Sequence, residues 1–295
     1  MRMKLGITGN TGKPGLWKPV ADLISFLKES SYPFVLHPEL GLGLSHEGFE
    51  IESESVARDL TDFLNQSDIV ISFGGDGTLL NTVYELGEHP IPILGVNYGR
   101  LGFLAHVEQS ELTNRMHQLE KGDYQVEERL VLEATYGEPA NLQKVWALNE
   151  FTIQRSGETG LLAIEVEVDG LYLNTYWADG LILSTPTGST AYSLALGGPI
   201  MAPGCGSILI SPIAPHTLTV RPIVIPETSN IVVRVLDFDK PHVFTSDGVH
   251  HNNSVTKTGL TIRKAEHQVK LVRFPDQDHF STLRTKLMWG ARKSN

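Results

Sequence analysis

Asp68-Ile69-Val70-Ile71-Ser72-Phe73-Gly74-Gly75-Asp76-Gly77-Thr78-Leu79-Leu80-Asn81-Thr82-Val83-Tyr84 is the stretch from which the fold of the first half can be read. An apolar run as far as Phe73 is a short buried strand. Three glycines around an aspartate make a turn that bulky residues could not follow, and an apolar-periodic helix start succeeds it. Such a turn exposes N–H groups at the positive end of a helix, where phosphate oxygens bind well. Asp76 is a poor neighbour for phosphate unless it has a task. Two tasks are available, holding Mg²⁺ or accepting a proton from an attacking hydroxyl. The plainer reading makes Asp76 the N-cap of a structural turn.

Outward from this turn, strands and helices alternate. Lys4–Thr8 is a short strand. Val20, Leu23, Ile24 and Leu27 fall on one face of a helix over Trp17–Glu29. Val56, Leu60, Phe63 and Leu64 repeat that spacing in a second helix. The strand before the glycines, the helix after them and a strand at Ile91–Val96 complete a βαβ unit. Its nearly continuous apolar strands fit a parallel sheet covered on both faces. The loop from Asn97 to Phe103 leaves the end of the second strand, where open α/β sheets place ligands. A helix at about 109–121 closes the domain.

Near residue 125 the pattern changes to short strands. Leu130–Thr135 is strand-like, and Ile164-Glu165-Val166-Glu167-Val168 alternates strictly. Asp169-Gly170 then joins it to Leu171-Tyr172-Leu173, a strong two-residue hairpin signal. Strand-like runs follow at 208–210, 220–225, 231–236, 243–245, 260–263 and 269–273. The tail from His279 to Gly290 has a helical pattern. The expectation is an α/β, Rossmann-like domain over residues 1–125 and a β-rich, β-sandwich-like domain over 126–274. A helical segment at 275–295 then returns to the first domain.

Composition narrows the function. The chain has 295 residues, 41% hydrophobic, enough for two cores. A net charge of −10 gives no general basic surface for nucleic acid or an anionic membrane. Phosphate must then be bound by backbone N–H groups, a few local cations and a metal ion. The single cysteine, Cys205, allows no intrachain disulfide framework and fits a reducing compartment. No signal-peptide h-region follows Met1, and no apolar stretch approaches the ~18–20 residues that cross a bilayer. The expectation is a cytoplasmic protein with no membrane partner.

A second motif lies in the β-rich half, Asp179-Gly180-Leu181-Ile182-Leu183-Ser184-Thr185-Pro186-Thr187-Gly188-Ser189-Thr190-Ala191-Tyr192. An apolar strand runs into a cluster of hydroxyl residues around Pro and Gly, and a short helix starts at Thr190. A capped turn accounts for part of this, but the hydroxyl run is longer than capping requires. Gly74–Thr78, Asn149-Glu150, Thr185–Tyr192 and Gly197–Ile200, in this order, closely resemble the NAD kinase family. Ser211–Leu218 and Arg221–Val224 resemble it too. The glycine element alone is weak, because phosphofructokinases and lipid kinases carry similar ones. Thr185–Tyr192 is far more specific, and the likeness covers essentially the whole chain.

The resemblance implies a phosphofructokinase-like first domain and transfer of the γ-phosphoryl group of ATP to the adenosine ribose 2′-hydroxyl of NAD⁺. It also implies a divalent metal ion, Mg²⁺ by expectation, with polyphosphate as a possible alternative donor. Asp76 would be the general base, and Gly74, Gly75 and Thr78 would hold phosphate, with Gly77 beside the dinucleotide. Asn149 and Glu150 would bond ribose hydroxyls, an amide and a carboxylate suiting adjacent diol oxygens. Asp179 would accept from the nicotinamide end or its ribose, and Thr190, Ala191 and Tyr192 would line the pocket. The dinucleotide would lie where the two domains meet, and a homodimer or homotetramer would complete the site.

The chain departs from the family pattern in places. Ala195 stands where many members have serine, and Trp177-Ala178 where others have a cationic residue. Asp247-Gly248-Val249 resembles an Asp-Gly-Gln turn without its glutamine, leaving Asp247 to reach a neighbour's ligand. His250-His251 read as ordinary loop histidines, since neighbours along a strand face opposite ways. Arg100, Arg155 and Arg221 are candidate phosphate partners but read better as surface or interface ion pairs. Two other classes compete: a lipid kinase, which shares the glycine turn, and a non-catalytic dinucleotide sensor, which would not need Asp76.

Overall fold

The computed structural model describes residues 2–99, 102–138, 141–157, 160–237, 240–251 and 259–290. Arg100 lies outside the described residues. The chain divides into two compact units, Met1–Glu128 with Val269–Asn295, and Arg129–Gln268.

The first unit opens with β1 (Leu5–Gly9), α1 (Trp17–Glu29), β2 (Phe34–Leu36) and α2 (Pro38–His46). α3 (Leu60–Gln66), β3 (Ile69–Phe73), α4 (Asp76–Leu86) and β4 (Ile93–Asn97) follow, then β5 (Val107–Glu108), α5 (Leu112–Lys121) and β6 (Gln125–Arg129). β1 pairs in parallel with β2 and β3, and β3 with β4. Every residue of β3 and of β4 is buried, as the continuous apolar runs required. Leu5, Ile7, Ile69, Ile71, Leu94 and Val96 share a core with the apolar faces of α1 and α5.

Two local readings change. Val56 is not in the second predicted helix; it bridges to Leu36, and α3 starts at Leu60. Asp59 caps α3, its carboxylate accepting the N–H of Asp62 at 2.8 Å. α2 and β2 are additional elements.

The second unit is two antiparallel sheets. β7 (Leu132–Glu138), β8 (Asn141–Ala147), β10 (Leu162–Val168), β11 (Leu171–Ala178), β15 (Ile231–Val235) and β18 (Leu260–Lys264) form one, in the order β11-β10-β15-β18-β7-β8. β9 (Glu150–Arg155), β12 (Gly180–Ser184), β13 (Ser207–Ile213), β14 (Ile223–Pro226), β16 (His242–Ser246) and β17 (Val249–His251) form the other, in the order β14-β13-β12-β9-β16-β17. Leu132, Ile164, Val166 and Val233 of the first sheet share a core with Phe151, Leu181, Leu183, Ile210 and Phe244 of the second. That is a sandwich. Asp169 and Gly170 join β10 to β11 with φ of 53° and 77°, the two positive values a type I′ hairpin needs. α6 (Tyr192–Ala195) is a single turn after β12.

The chain ends with β19 (Val269–Arg273) and α7 (His279–Leu287). β19 was expected in the β-rich half. It lies instead in the first sheet, whose order is β2-β1-β3-β4-β19-β6, with Leu271 paired in parallel to Ile93. Its buried Val272, with Phe274, completes the core of the first unit. No described helix is long and apolar enough to cross a membrane.

Candidate active site

In the first unit, the Gly74–Thr78 turn links β3 to α4 at the carboxyl end of the sheet. Gly75 is the N-cap, so Asp76 is the first helical residue and not the cap. A Cβ on Gly75 or Gly77 would meet nothing within 4 Å, leaving open space beside the helix N-terminus. Thr78 is buried under the turn, and its N–H bonds the carbonyl of Gly75 at 3.0 Å.

The Asp76 carboxylate does not serve its own helix. Oδ2 accepts the N–H of Phe103 at 2.8 Å, and Oδ1 accepts those of Leu104 at 2.9 Å and Ala105 at 3.1 Å. A Cβ at position 102 would strike Oδ1, so Gly102 is what lets this loop close over the carboxylate. The same loop is held from the chain's end. Arg273 donates to the Leu104 carbonyl at 3.2 Å and to Glu127 at 2.8 Å. Gln277 donates to the His106 carbonyl at 3.4 Å, and Lys286 of α7 lies 5.5 Å over the Phe103 ring. A carboxylate offers roughly four lone-pair positions, so three N–H bonds leave one, on Oδ2.

In the second unit, three strands of one sheet end together. Glu150, the first residue of β9, pairs with Ser184, the last of β12, and Phe151 pairs with Ser246, the last of β16. This single edge gathers Asn149, Glu150, the 185–192 turn and Asp247. Asp247 has φ of 46° and Gly248 84°, the tight turn between β16 and β17. Its carboxylate reaches back across the sheet to accept three successive N–H groups: Leu148 at 2.7 Å, Asn149 at 2.8 Å and Glu150 at 2.9 Å.

The carbonyls of the same corner face the hydroxyl turn. Thr185 donates its hydroxyl to the Leu148 carbonyl at 2.6 Å and its N–H to that of Asn149 at 2.9 Å. Ser184 adds a bond to the Asn149 carbonyl at 3.3 Å. Ser189 donates to the Pro186 carbonyl at 2.6 Å and accepts the Met201 N–H at 2.9 Å, and Thr190 donates to the Thr187 carbonyl at 3.0 Å. The length of the hydroxyl run therefore has a local cause: most of it ties the turn to itself and to the Leu148–Asn149 backbone.

Asn149 and Glu150 are 9% and 8% exposed. Burial, with the Asp247 charge adding to it, pushes the Glu150 carboxyl up to about 8, against a bond from the Tyr192 N–H. Glu150 Oε2 is buried without a hydrogen-bond partner.

Asp179 lies at the opposite end of β12 and pairs with Arg155 at 2.7 Å, which is the ion pair foreseen for that arginine. Arg221 makes no ion pair among the described residues; it donates to the carbonyls of Leu218 and Val220. Tyr192 accepts from Gln154 at 3.1 Å and is partly exposed, with Ala191 before it half-buried. His251 bonds Ser246 at 2.7 Å, and no group of three His, Cys, Asp or Glu among the described residues is placed to hold a metal.

Comparison with known proteins decides the family. Residues 5–124 match the family profile described as ATP-NAD kinase N-terminal domain, and residues 148–274 match its C-terminal domain. The chain belongs to the NAD kinase family. It is 40% identical over 290 residues to an NAD kinase of Bacteroides fragilis, covering 98% of this chain and 99% of the relative. An NAD kinase of Flavobacterium johnsoniae is 35% identical, with 99% and 100% covered. Among solved structures, an NAD kinase from Archaeoglobus fulgidus in complex with ATP superposes with a TM-score of 0.72 at 26% identity, covering 97% of this chain and 99% of the other. A yeast NADH kinase complexed with NADH shares the fold, with a TM-score of 0.90 at 24% identity, covering 99% and 89%. As an NAD kinase the protein is a phosphotransferase, which removes the lipid-kinase and sensor readings. What sequence reasoning missed is the pair of grips by Asp76 and Asp247, whose partners lie far away in the chain and leave no local signal.

Proposed function

We propose that the protein transfers the γ-phosphoryl group of ATP to the adenosine ribose 2′-hydroxyl of NAD⁺, giving NADP⁺ and ADP, with Asp76 taking the hydroxyl proton. The observation that carries this reading is the Asp76 carboxylate, held by three N–H donors beside the open glycine turn. The grip fixes the oxygen atoms and leaves one lone pair, on Oδ2, for the incoming proton. Phosphoryl transfer asks the protein chiefly for position and charge stabilisation, so a fixed base suits a loose transition state.

The N–H groups at Gly75 and Gly77 would bind phosphate oxygens, while Asn149 and Glu150 would hold ribose. Asp179, Thr190, Ala191 and Tyr192 would complete the dinucleotide contacts. The donor set described offers no protein cage for a resident metal. The divalent ion would arrive on the phosphates of ATP, where Mg²⁺ prefers to bind. The likeness to the ATP-bound archaeal enzyme supports ATP over polyphosphate. Family resemblance supports a homodimer or homotetramer, which light scattering would reveal.

The test is a set of incubations with Mg·ATP followed by mass spectrometry. NAD⁺ should yield NADP⁺, and NAD⁺ lacking only the adenosine 2′-hydroxyl should bind yet yield nothing. A phosphorylated product from the 2′-deoxy compound would refute the regiochemistry.

A further inference from the structure

We propose that Asp247 is a positioning residue for dinucleotide binding, fixing the Asn149-Glu150 corner by its backbone and making Glu150 a hydrogen-bond donor to the ligand rather than an acceptor. The inference rests on the reading that Asn149 and Glu150 bind the dinucleotide.

Geometry carries it. Both oxygens of Asp247 are occupied by the N–H groups of Leu148, Asn149 and Glu150, and its own N–H returns to the Glu150 carbonyl at 3.0 Å. With Thr185 and Ser184 on the carbonyls, the corner's peptide groups are turned to the protein on every side. What remains to face a ligand is the two side chains. Of these, Glu150 is more than nine-tenths buried, and its Oε2 has no partner.

A buried carboxylate would need a cation, and among the described residues the groups around Glu150 supply none. The turn between β16 and β17 brings Asp247, a second negative charge. α6 brings the Tyr192 N–H, whose effect is smaller and opposite. Across the sheet, β12 pairs Ser184 with Glu150, and the β16 end brings Ser246 next door. The nearby Arg129 donates to Thr187, and His251 to or from Ser246. Two carboxyls at one corner, one gripped as the anion by three N–H donors, leave the other protonated. The carboxyl of Glu150, raised to about 8, fits this division. A protonated Oε2 donates to an acceptor oxygen on the ligand, a ribose hydroxyl oxygen on the present reading.

The experiment is calorimetric NAD⁺ binding to the full-length protein from pH 6 to 9.5, with circular dichroism as a check of folding. NAD⁺ has no titrating group in that range to mimic the effect. Wild-type affinity should fall about tenfold as pH rises past 8, roughly one hydrogen bond lost. Glu150→Gln carries a donor at every pH, so its profile should be flat. Asp247→Asn should move the midpoint of the fall to lower pH, because the charge holding Glu150 protonated is gone. A Glu150→Gln profile that still falls above pH 8 overturns the proposal, as does an affinity at pH 7 no better than that of Glu150→Ala. An unmoved midpoint in folded Asp247→Asn removes Asp247 from the account. Asn149→Ala separates the two levels: it should weaken binding ~5- to 150-fold, equivalent to ~1–3 kcal/mol. Unchanged affinity there refutes the site itself, whereas weakened binding with a Glu150→Gln profile that still falls refutes only the donor role.

Discussion

Gly188 lies directly against the carbonyl oxygen of Asn149: a Cβ there would collide with a backbone atom that cannot move aside. The hydroxyl turn and the Asn149-Glu150 corner are thereby pressed into one body, with the Thr185 and Ser184 bonds running across the contact.

Gly188→Ala should force the two apart. Overpacking of this kind costs roughly 1–3 kcal/mol, so the urea midpoint should drop. NAD⁺ affinity should drop with it, because Asn149 is displaced. A variant with wild-type stability and affinity would show that the contact yields easily.

Asp76→Asn keeps the shape of the side chain but replaces an oxygen by a donor facing the N–H groups of residues 103–105. Turnover should fall ~10²–10⁴-fold, the usual contribution of a positioned acid or base. NAD⁺ binding should change little, while amide exchange at Phe103, Leu104 and Ala105 should quicken. Turnover close to wild type would remove Asp76 from the chemistry.

Stability should carry the mark of Glu150. Its carboxyl releases a proton near the ordinary 4.5 when unfolded and at about 8 when folded. Between those values the folded state binds more protons, so stability declines as pH rises from 4.5 to 8 and levels off above. The decline should be roughly 4–5 kcal/mol in wild type and absent from Glu150→Gln. Denaturant melts at pH 5 and pH 9, with the difference taken between the two proteins, measure it.

Arg115 gives a prediction of opposite sign. Its buried guanidinium makes paired bonds of 2.7 and 2.8 Å to Asp276 and stacks 4.7 Å from the Phe274 ring. The hydrogen bond from Arg115 holds the Asp276 carboxyl below its usual value. The stabilisation is present above the unfolded carboxyl value, near 4, and is lost as pH falls through the lower folded one. Asp276→Asn should cost ~1–3 kcal/mol at pH 7 and converge with wild type in acid. Equal loss at every pH would mean packing, not charge, is at stake.

What the sequence announced were local devices. Asp169-Gly170 is legible because both residues tolerate positive φ, and β3 with its glycine turn because burial on both faces leaves an unbroken apolar run. α2 was silent for a physical reason. Its Gly41 and Gly43 weaken any helical signal, and each gives up a side chain to admit a neighbour, Val56 against one and Trp17 against the other. The candidate site residues Asn149, Glu150 and Thr185–Tyr192 came from family likeness, and the structure sets them along one sheet edge. The role of Asp247 in that edge rests on bonds to residues about a hundred positions earlier, which no local pattern encodes. For the same reason the strand pattern at 269–273 was clear, but the sheet that receives it was not.

That strand has a consequence for how the protein is made. β19 stands between β4 and β6, yet it leaves the ribosome only after the whole of Arg129–Gln268. The sandwich is continuous in sequence and can finish first, while the earlier-made sheet waits with open edges where its missing neighbour belongs. Arg273 and Gln277 arrive with the same late segment and close upon the loop that grips Asp76. A nascent chain therefore holds a folded half and an unfinished one, and the Asp76 carboxylate is seated among the final steps of biogenesis.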